Sequence, residues 1–298
     1  MHCTGKRIAL VALAVLFFEV NANAEIELPQ ADGSSLVIPQ AASSIITLAP
    51  NLTELAFAAG AGEQVIATVE YSEFPQAASA LPRVGDAFRL DLERILALKP
   101  DLVVAWQSGN PQQAIARLQA LGIATWIVEI RQPEDIATTL EWFGLATGHE
   151  DESSEAAAHL RHKLENLSEN FSGLPPVSYF YQVAAHPLFT LNGEHLIAQS
   201  FALCGGVNVF QNESALAPQV STESVIAANP DVLLAPALPG QPDPLQDWRA
   251  WSQMTAVRNG RLYTLFADEI SRATPRMLDA VSTGCRLMHQ DPTRSQNE

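Results

Sequence analysis

The chain has few basic residues. Its 17 lysines and arginines stand against 33 aspartates and glutamates, which gives a formal net charge of −16. A nucleic-acid-binding protein needs a basic surface, so this balance excludes nucleic acid as a partner. It also argues against an anionic membrane surface. Charged residues make up only 17% of the 298 residues and hydrophobic residues 47%. Because this composition can bury one or two cores, we expect a folded chain rather than a disordered one.

Catalytic signatures are missing as well. The sequence contains no G-x-S-x-G, no G-x-x-x-x-G-K-[ST] and no H-E-x-x-H, which are the patterns of common hydrolases, nucleotide-binding loops and zinc proteases. His159 and His162 lie one turn apart with Glu155 nearby, but we interpret them as a solvated helix face rather than a metal site. We therefore expect no catalytic residues, no metal and no cofactor.

Cysteine is scarce, with only Cys3, Cys204 and Cys285. No C-x-x-C pair exists, so the cysteines alone cannot form a zinc site. Cys3 lies in the amino-terminal leader described below. The remaining two cysteines form one disulfide if the chain is exported, or stay as two buried free thiols.

Long hydrophobic runs are absent except for one, Ile8–Phe18, which follows Lys6 and Arg7. Eleven residues are too few to span a bilayer but suit the apolar region of a signal peptide. Ala22-Asn23-Ala24 is typical of a cleavage site. The sequence therefore predicts a signal peptide over residues 1–24, cleavage after Ala24, and an exported, soluble, periplasmic protein.

Short apolar runs alternate with helical patterns along the rest of the chain, which predicts α/β structure with mostly parallel sheets and helices on both faces. The predicted strands are Ser44–Leu48, Val65–Val69, Asp101–Ala105, Ala124–Glu129, Val177–Val183, Asp231–Leu234 and Gly260–Phe266. The predicted helices are Asn51–Ala59, Leu92–Leu98, Pro111–Leu121, Glu194–Leu203, Glu223–Ala228 and Pro275–Met288.

A long helical stretch begins at Pro133 in the middle of the chain. Gly144 and Gly148 are expected to interrupt it, and Asp151–Ser168 then continues without glycine or proline. Gly173-Leu174-Pro175-Pro176 ends the helical pattern.

The two halves of the chain resemble each other in sequence. Glu93–Val104 (ERILALKPDLVV) aligns with Glu223–Leu234 (ESVIAANPDVLL), which indicates a duplicated α/β lobe. The fold class predicted here is α/β, with two Rossmann-like lobes joined by one long α-helix and a ligand cleft between the lobes. The predicted boundaries are 25–148 for the first lobe, 149–172 for the linking helix and 173–298 for the second lobe.

Aromatic and charged residues follow several of the predicted strands, where the ligands of open α/β sheets bind. Four aromatics in such places favour a flat apolar ligand, although each could instead be a core residue. Two charged residues follow the last strand, where they could bind polar groups of a ligand or form a plain surface ion pair. These residues are Tyr71, Phe88, Trp106, Phe189, Asp268 and Arg272.

Several motifs together resemble the periplasmic cobalamin-binding proteins of ABC importers, within a wider family of helical-backbone (class III) substrate-binding proteins that also carry haem and ferric siderophores. The resemblance extends from about Ile45 to Met288. Its markers are TLAP with TELAFAAG (47–60), LERI (92–95), ALKPDLV (97–103), AW with GN (105–110), CGG (204–206), PQVS (218–221) and RATPR (272–276).

The resemblance implies a protein that captures cobalamin (vitamin B12) or a related corrinoid and delivers it to a membrane permease with a cytoplasmic ATPase. Tyr71, Trp106, Phe189, Asp268 and Arg272 match ligand-contacting positions, and the predicted ligand-binding set adds Asn51 and Phe88. The resemblance also implies that Glu93 and Glu223 dock onto the permease and that Cys204 and Cys285 form a disulfide.

The chain departs from that family at two positions. Ala87 and Ala217 stand where a well-known member has tryptophan, and Phe88 is placed to compensate for the first. An alternative ligand is haem or a ferric siderophore. Haem would need an axial donor, for which Tyr71 and His186 are the candidates.

Overall fold

The computed structural model describes residues 25–290. The predicted signal peptide and Cys3 lie outside these residues. The helices, in chain order, are α1 Pro50–Ala58, α2 Leu92–Leu98, α3 Gln112–Ala120, α4 Pro133–Thr147, α5 Glu150–Asn170, α6 Leu196–Ala202, α7 Thr222–Ala228, α8 Thr255–Arg258, α9 Ala267–Ile270 and α10 Pro275–His289. The strands are β1 Ile26–Pro29, β2 Ser35–Ile38, β3 Ile45–Thr47, β4 Val65–Ala67, β5 Leu102–Trp106, β6 Thr125–Val128, β7 Val177–Tyr181, β8 Ala184–Ala185, β9 Leu188–Phe189, β10 Gly206–Asn208, β11 Val232–Ala237 and β12 Leu262–Phe266.

Two four-stranded parallel sheets form the centres of two lobes. The N-terminal lobe, which comprises β3–β6 and α1–α4, has the strand order β4-β3-β5-β6. The C-terminal lobe, which comprises β7–β12 and α6–α10, has the order β10-β7-β11-β12. In each sheet the second and third strands flank the first, so both have the same topology. The predicted α/β fold with two lobes is confirmed.

The duplicated sequence motif forms the same local structure in both lobes. The short helices α2 and α7 each end at a residue with left-handed backbone, Lys99 (φ 49°) and Asn229 (φ 45°). The aspartate two residues later caps the first strand of its own sheet. Asp101 accepts hydrogen bonds from the backbone and hydroxyl of Ser44, at 2.9 and 3.0 Å. Asp231 accepts the same two bonds from Ser178, at 3.1 and 2.6 Å.

Each central strand buries both of its faces, as expected for parallel sheets covered by helices. Leu102 and Val104 of β5 pack on one side of the N-terminal sheet, whereas Val103 and Ala105 pack on the other. In the C-terminal sheet, β11 divides its side chains between two clusters in the same way. Leu278 of α10 packs in the core of the N-terminal lobe, so the last helix joins the two lobes.

The helix α5 connects the lobes in sequence and packs extensively along α4. At 21 residues it is about 32 Å long. The expected interruption at Gly144 is wrong, because this residue lies inside α4. A β-carbon there would come within 1.8 Å of the Ser153 hydroxyl on α5, so glycine permits the close approach of the two helices. Gly148 (φ 77°) does end α4.

Several small elements are not predicted from the sequence, including the short helices α8 and α9. The antiparallel hairpin β1–β2 lies beside β6, where Trp126 donates its indole N–H to the Pro29 carbonyl at 2.8 Å. The edge strand β10 and the two-residue strands β8 and β9 were also missed.

The disulfide prediction is confirmed by a bond between Cys204 and Cys285, which ties the end of α6 to α10. His159 and His162 are exposed on α5. Among residues 25–290, no group of three or more histidines, cysteines or acidic residues is arranged to hold a metal ion. No helix in this part of the chain is long and apolar enough to cross a membrane.

Candidate functional site

The candidate site lies where loops leave the carboxyl ends of the two sheets. From the N-terminal lobe come Tyr71, Phe88 and Trp106. From the C-terminal lobe come Asp268 in α9 and Arg272 just after it. A direct contact joins the two sets, because the Arg272 guanidinium donates a hydrogen bond to the Tyr71 carbonyl at 3.2 Å.

Tyr71 has an unusual backbone for a bulky residue. Its φ is 66° and its side chain is 72% exposed. Such a conformation is strained and persists only where the surroundings enforce it. Hydrogen bonds fix the backbone on both sides of it, because Glu70 N–H donates to the Gly85 carbonyl (2.9 Å) and Arg83 donates to the Ser72 carbonyl (3.0 Å).

Phe88 lies at the tip of a tight turn and is 78% exposed. The Asp86 carboxylate accepts hydrogen bonds from the backbone N–H groups of Phe88 and Arg89, both at 2.8 Å. Gly85 precedes the turn with φ 99°, and a β-carbon there would overlap the Arg89 carbonyl. This loop therefore holds a phenyl ring in solvent, which is costly for an apolar group without a ligand.

Trp106 ends β5 and is partly buried. The buried side chain of Asn110 accepts a hydrogen bond from the Trp106 backbone at 2.7 Å and donates to the carbonyls of Leu48 (2.8 Å) and Ala87 (3.0 Å). Asn110 thus connects the loops after β3 and β5 with the loop that carries Phe88. Its role was not predicted from the sequence, although Gly109-Asn110 was among the motifs that carried the resemblance.

Phe189 lies in β9 and is partly buried. It forms a bridge with Gln219, and Thr190 N–H donates to the Pro218 carbonyl at 3.0 Å. The Ala217 segment therefore runs beside Phe189. Leu216 next to it is 55% exposed.

Asn51 belongs to the first turn of α1 and is only 5% exposed. His186 is at the opposite extreme, with 85% of its side chain exposed and its Nε2 atom 3.5 Å from the Asp247 carboxylate. The structure brings neither residue into hydrogen-bond contact with the aromatic residues named above.

A buried charge cluster lies beneath Tyr71, between the lobes. Glu54 of α1 has a side chain that is only 2% exposed. Arg276 of α10 binds both of its carboxylate oxygens, at 3.0 and 2.8 Å, and Arg272 binds one of them at 2.8 Å. Arg272 also reaches Asp268 at 3.3 Å. The Arg276 guanidinium stacks over the Phe74 ring at 3.8 Å.

Neither Glu54 nor Arg276 was assigned a role from the sequence. A signal was present, because Glu54 is the one charged residue in the mostly apolar run LTELAFAA (52–59), and a buried carboxylate requires a cationic partner. The arginine that supplies it is more than two hundred positions away along the chain. Sequence periodicity cannot identify such a pair.

Glu93 and Glu223 occupy equivalent places in the two lobes. Each is exposed in the first turn of its short helix, α2 or α7. Asp91 and Ser221 cap these helices by accepting a backbone N–H. Hydrogen bonds from its own backbone and from Ser221 lower the pKa of the Glu223 carboxyl, so this group is charged at neutral pH.

Comparisons with known proteins agree with this architecture. The sequence profile of the periplasmic binding protein family matches residues 45–269. A vitamin B12-binding protein of Vibrio cholerae is 37% identical over 256 residues, which cover 86% of this chain and 92% of the relative. A vitamin B12-binding protein of Yersinia pestis is 35% identical over 87% of this chain and 91% of its own length.

Solved structures have the same fold. The crystal structure of a periplasmic vitamin B12-binding protein of Vibrio cholerae matches with a TM-score of 0.76 at 35% identity, over 86% of this chain and 99% of that one. A periplasmic haem-binding protein of the same organism matches with a TM-score of 0.73 at 20% identity, over 83% and 99% of the two chains. The second likeness concerns the fold alone. The family profile and the identity to full-length relatives establish that this chain belongs to the periplasmic binding protein family.

Proposed function

We propose that the protein captures cobalamin, or a related corrinoid, in the cleft between its lobes. The observation that carries this proposal is the set of aromatic side chains Tyr71, Phe88 and Trp106. They come from three separate loops at one sheet edge, and two of them are more than 70% exposed. Exposed aromatic rings on loops that are fixed by hydrogen bonds suit a broad, flat, partly apolar ligand. The names of the relatives support the same ligand class.

The remaining candidates supply the other contacts. Phe189 would face the ligand from the C-terminal lobe, and Asp268 would accept hydrogen bonds from amide groups of the ring. Arg272 would add a donor, although its guanidinium already binds Glu54. Asn51 would contact the ligand only if the ligand reached the buried start of α1. No cofactor other than this ligand is proposed.

The two alanines at positions that are tryptophan in a family member have apolar neighbours. Phe88 follows Ala87, and Leu216 precedes Ala217. Both neighbours are exposed, so we propose that they replace the missing tryptophan surfaces.

We further propose that the protein acts in the periplasm after cleavage of residues 1–24, and that it acts by binding rather than as an enzyme. The proposed units are 25–148, the linking helix 149–172 and 173–298. Glu93 and Glu223 would contact basic residues of an ABC permease, because one exposed carboxylate on each lobe gives a two-point contact that sets orientation.

Calorimetric titration with cyanocobalamin tests the ligand, with hemin as a parallel titrant. The expected result is one-to-one binding of cyanocobalamin, weakened by Tyr71→Ala and by Phe88→Ala. A response to hemin alone, lost in Tyr71→Phe or His186→Ala, would overturn the corrinoid proposal in favour of haem. A ferric siderophore series covers the remaining alternative.

A further inference from the structure

Glu54 takes part in the contacts between the lobes, beneath the candidate site, and the proposed function gives it no role. Glu54 is buried at the start of the N-terminal lobe, and the two arginines that hold it belong to the C-terminal lobe. A buried carboxylate with two arginine partners is well satisfied only while the lobes keep this relative position. The cluster therefore fixes the geometry of the cleft at one point.

The same cluster reaches the most strained residue of the site. Arg272 donates to Glu54, to the carbonyl of Tyr71 and, at 3.3 Å, to Asp268. Within the N-terminal lobe, Arg83 donates to the Ser72 carbonyl and Thr68 donates to the Ser72 hydroxyl (2.9 Å). Because Arg272 belongs to the C-terminal lobe, hydrogen bonds from both lobes hold the segment around Tyr71. Without Arg272 in place, the C-terminal lobe would lose its hydrogen bond to the Tyr71 carbonyl.

We propose that Glu54 is a positioning residue for ligand binding, which acts by orienting Arg272 so that Arg272 holds Tyr71 in its left-handed conformation. Arg276 supports this arrangement, because it binds the second carboxylate oxygen of Glu54 and packs on Phe74 near Tyr71. In this arrangement the contact between the lobes and the aromatic wall of the cleft are one connected unit. The inference rests on the proposed function, since it takes Tyr71 as a ligand contact.

The first test needs no ligand. Hydrogen–deuterium exchange is followed in peptides covering residues 68–74 of the whole protein. In Glu54→Gln we expect exchange there to rise about tenfold, as for removal of one member of a coupled network. Arg272→Met removes the donor to Tyr71 while Arg276 still binds Glu54, and should give the same result. Peptides covering β7 report global stability and should not change.

A control comes from a charge cluster between α4 and α5. Glu141 of α4 binds Arg161 of α5, which also binds Glu134, so Glu141→Gln breaks a similar three-member cluster away from Tyr71. Exchange over 68–74 should stay unchanged in this variant. Equal exchange in wild type, Glu54→Gln and Arg272→Met would overturn the inference, as would an increase spread over β7.

The second test is a double-mutant cycle on the affinity for cyanocobalamin. Glu54→Gln should weaken binding about tenfold in the wild-type background and have no effect in a Tyr71→Ala background. Equal losses in both backgrounds would show that Glu54 does not act through Tyr71. If the wild-type protein does not bind cyanocobalamin, the proposed function fails, and the exchange experiment alone decides whether the positioning device exists.

Discussion

Asn110 offers a sharp test of how the aromatic loops are held. Its side chain is 5% exposed and makes three hydrogen bonds to backbone groups of three different segments, at 2.7, 2.8 and 3.0 Å. A net contribution of about 1 kcal/mol per bond gives an expected loss of about 3 kcal/mol for Asn110→Ala. Total stabilities are typically about 5–15 kcal/mol, so this loss is large.

Urea unfolding followed by circular dichroism measures the effect. Asn166→Ala is the control, because Asn166 is bonded to His162 on an exposed face of α5 and its loss should stay within about 0.5 kcal/mol. Asn110→Asp keeps the acceptor for the Trp106 amide but removes both donors and buries a charge, so it should cost at least as much as Asn110→Ala. The reasoning is refuted if Asn110→Ala costs no more than the control, or if Asn110→Asp is as stable as the wild type.

Uptake and unfolding measurements test other parts of the molecule. Glu93→Ala combined with Glu223→Ala should abolish uptake in cells while leaving ligand affinity and melting temperature unchanged, because both carboxylates are exposed; normal uptake would refute the docking role. Replacing Cys204 and Cys285 by alanine should lower the free energy of unfolding by about 4 kcal/mol, since the bond closes a loop with a sequence separation of 81. Burial lowers the pKa of His195, whose ring accepts a backbone hydrogen bond at the start of α6. The neutral ring therefore stabilises the fold above the unfolded pKa of about 6.5, and this stability is lost as the pH falls through the lower folded pKa. Unfolding midpoints at pH 7 and pH 5 should differ more in the wild type than in His195→Asn.

Local sequence patterns were enough to predict most of the fold. The Pro-Asp pairs at the end of each short helix place a turn, a capping carboxylate and a buried apolar strand within a few residues. They predict β5 and the start of β11 to within one residue, but β11 continues to Ala237, beyond the predicted end at Leu234. The edge strand β10 is short and carries the glycine Gly206, so its apolar pattern is weak. The sequence predicts a helix break at Gly144 because glycine is a weak helix former. It cannot show that α5 packs so closely against α4 that only glycine fits there.

The candidate site was predicted less completely, because some of its residues depend on partners that are far away in the sequence. Tyr71, Phe88 and Trp106 follow strands, and their place at the sheet edge is a consequence of parallel topology. Asn110 and Glu54 depend on partners that only the folded chain brings near, such as Leu48 and Arg276. Residues that hold the candidate side chains in position are therefore harder to infer than the candidate side chains themselves.

The duplication itself can be tested through its two capping aspartates. Asp101 and Asp231 each accept hydrogen bonds from a serine near the start of the first strand of their sheet, Ser44 before β3 and Ser178 in β7. Asparagine keeps the shape but weakens these charge-assisted bonds, so Asp101→Asn and Asp231→Asn should each lower the free energy of unfolding by about 1 kcal/mol. Because the two sites lie in different lobes, the losses should add in the double variant. A loss in only one of the two variants would mean that the shared motif does not have the same structural role in both lobes, and that its recurrence does not explain the common strand order.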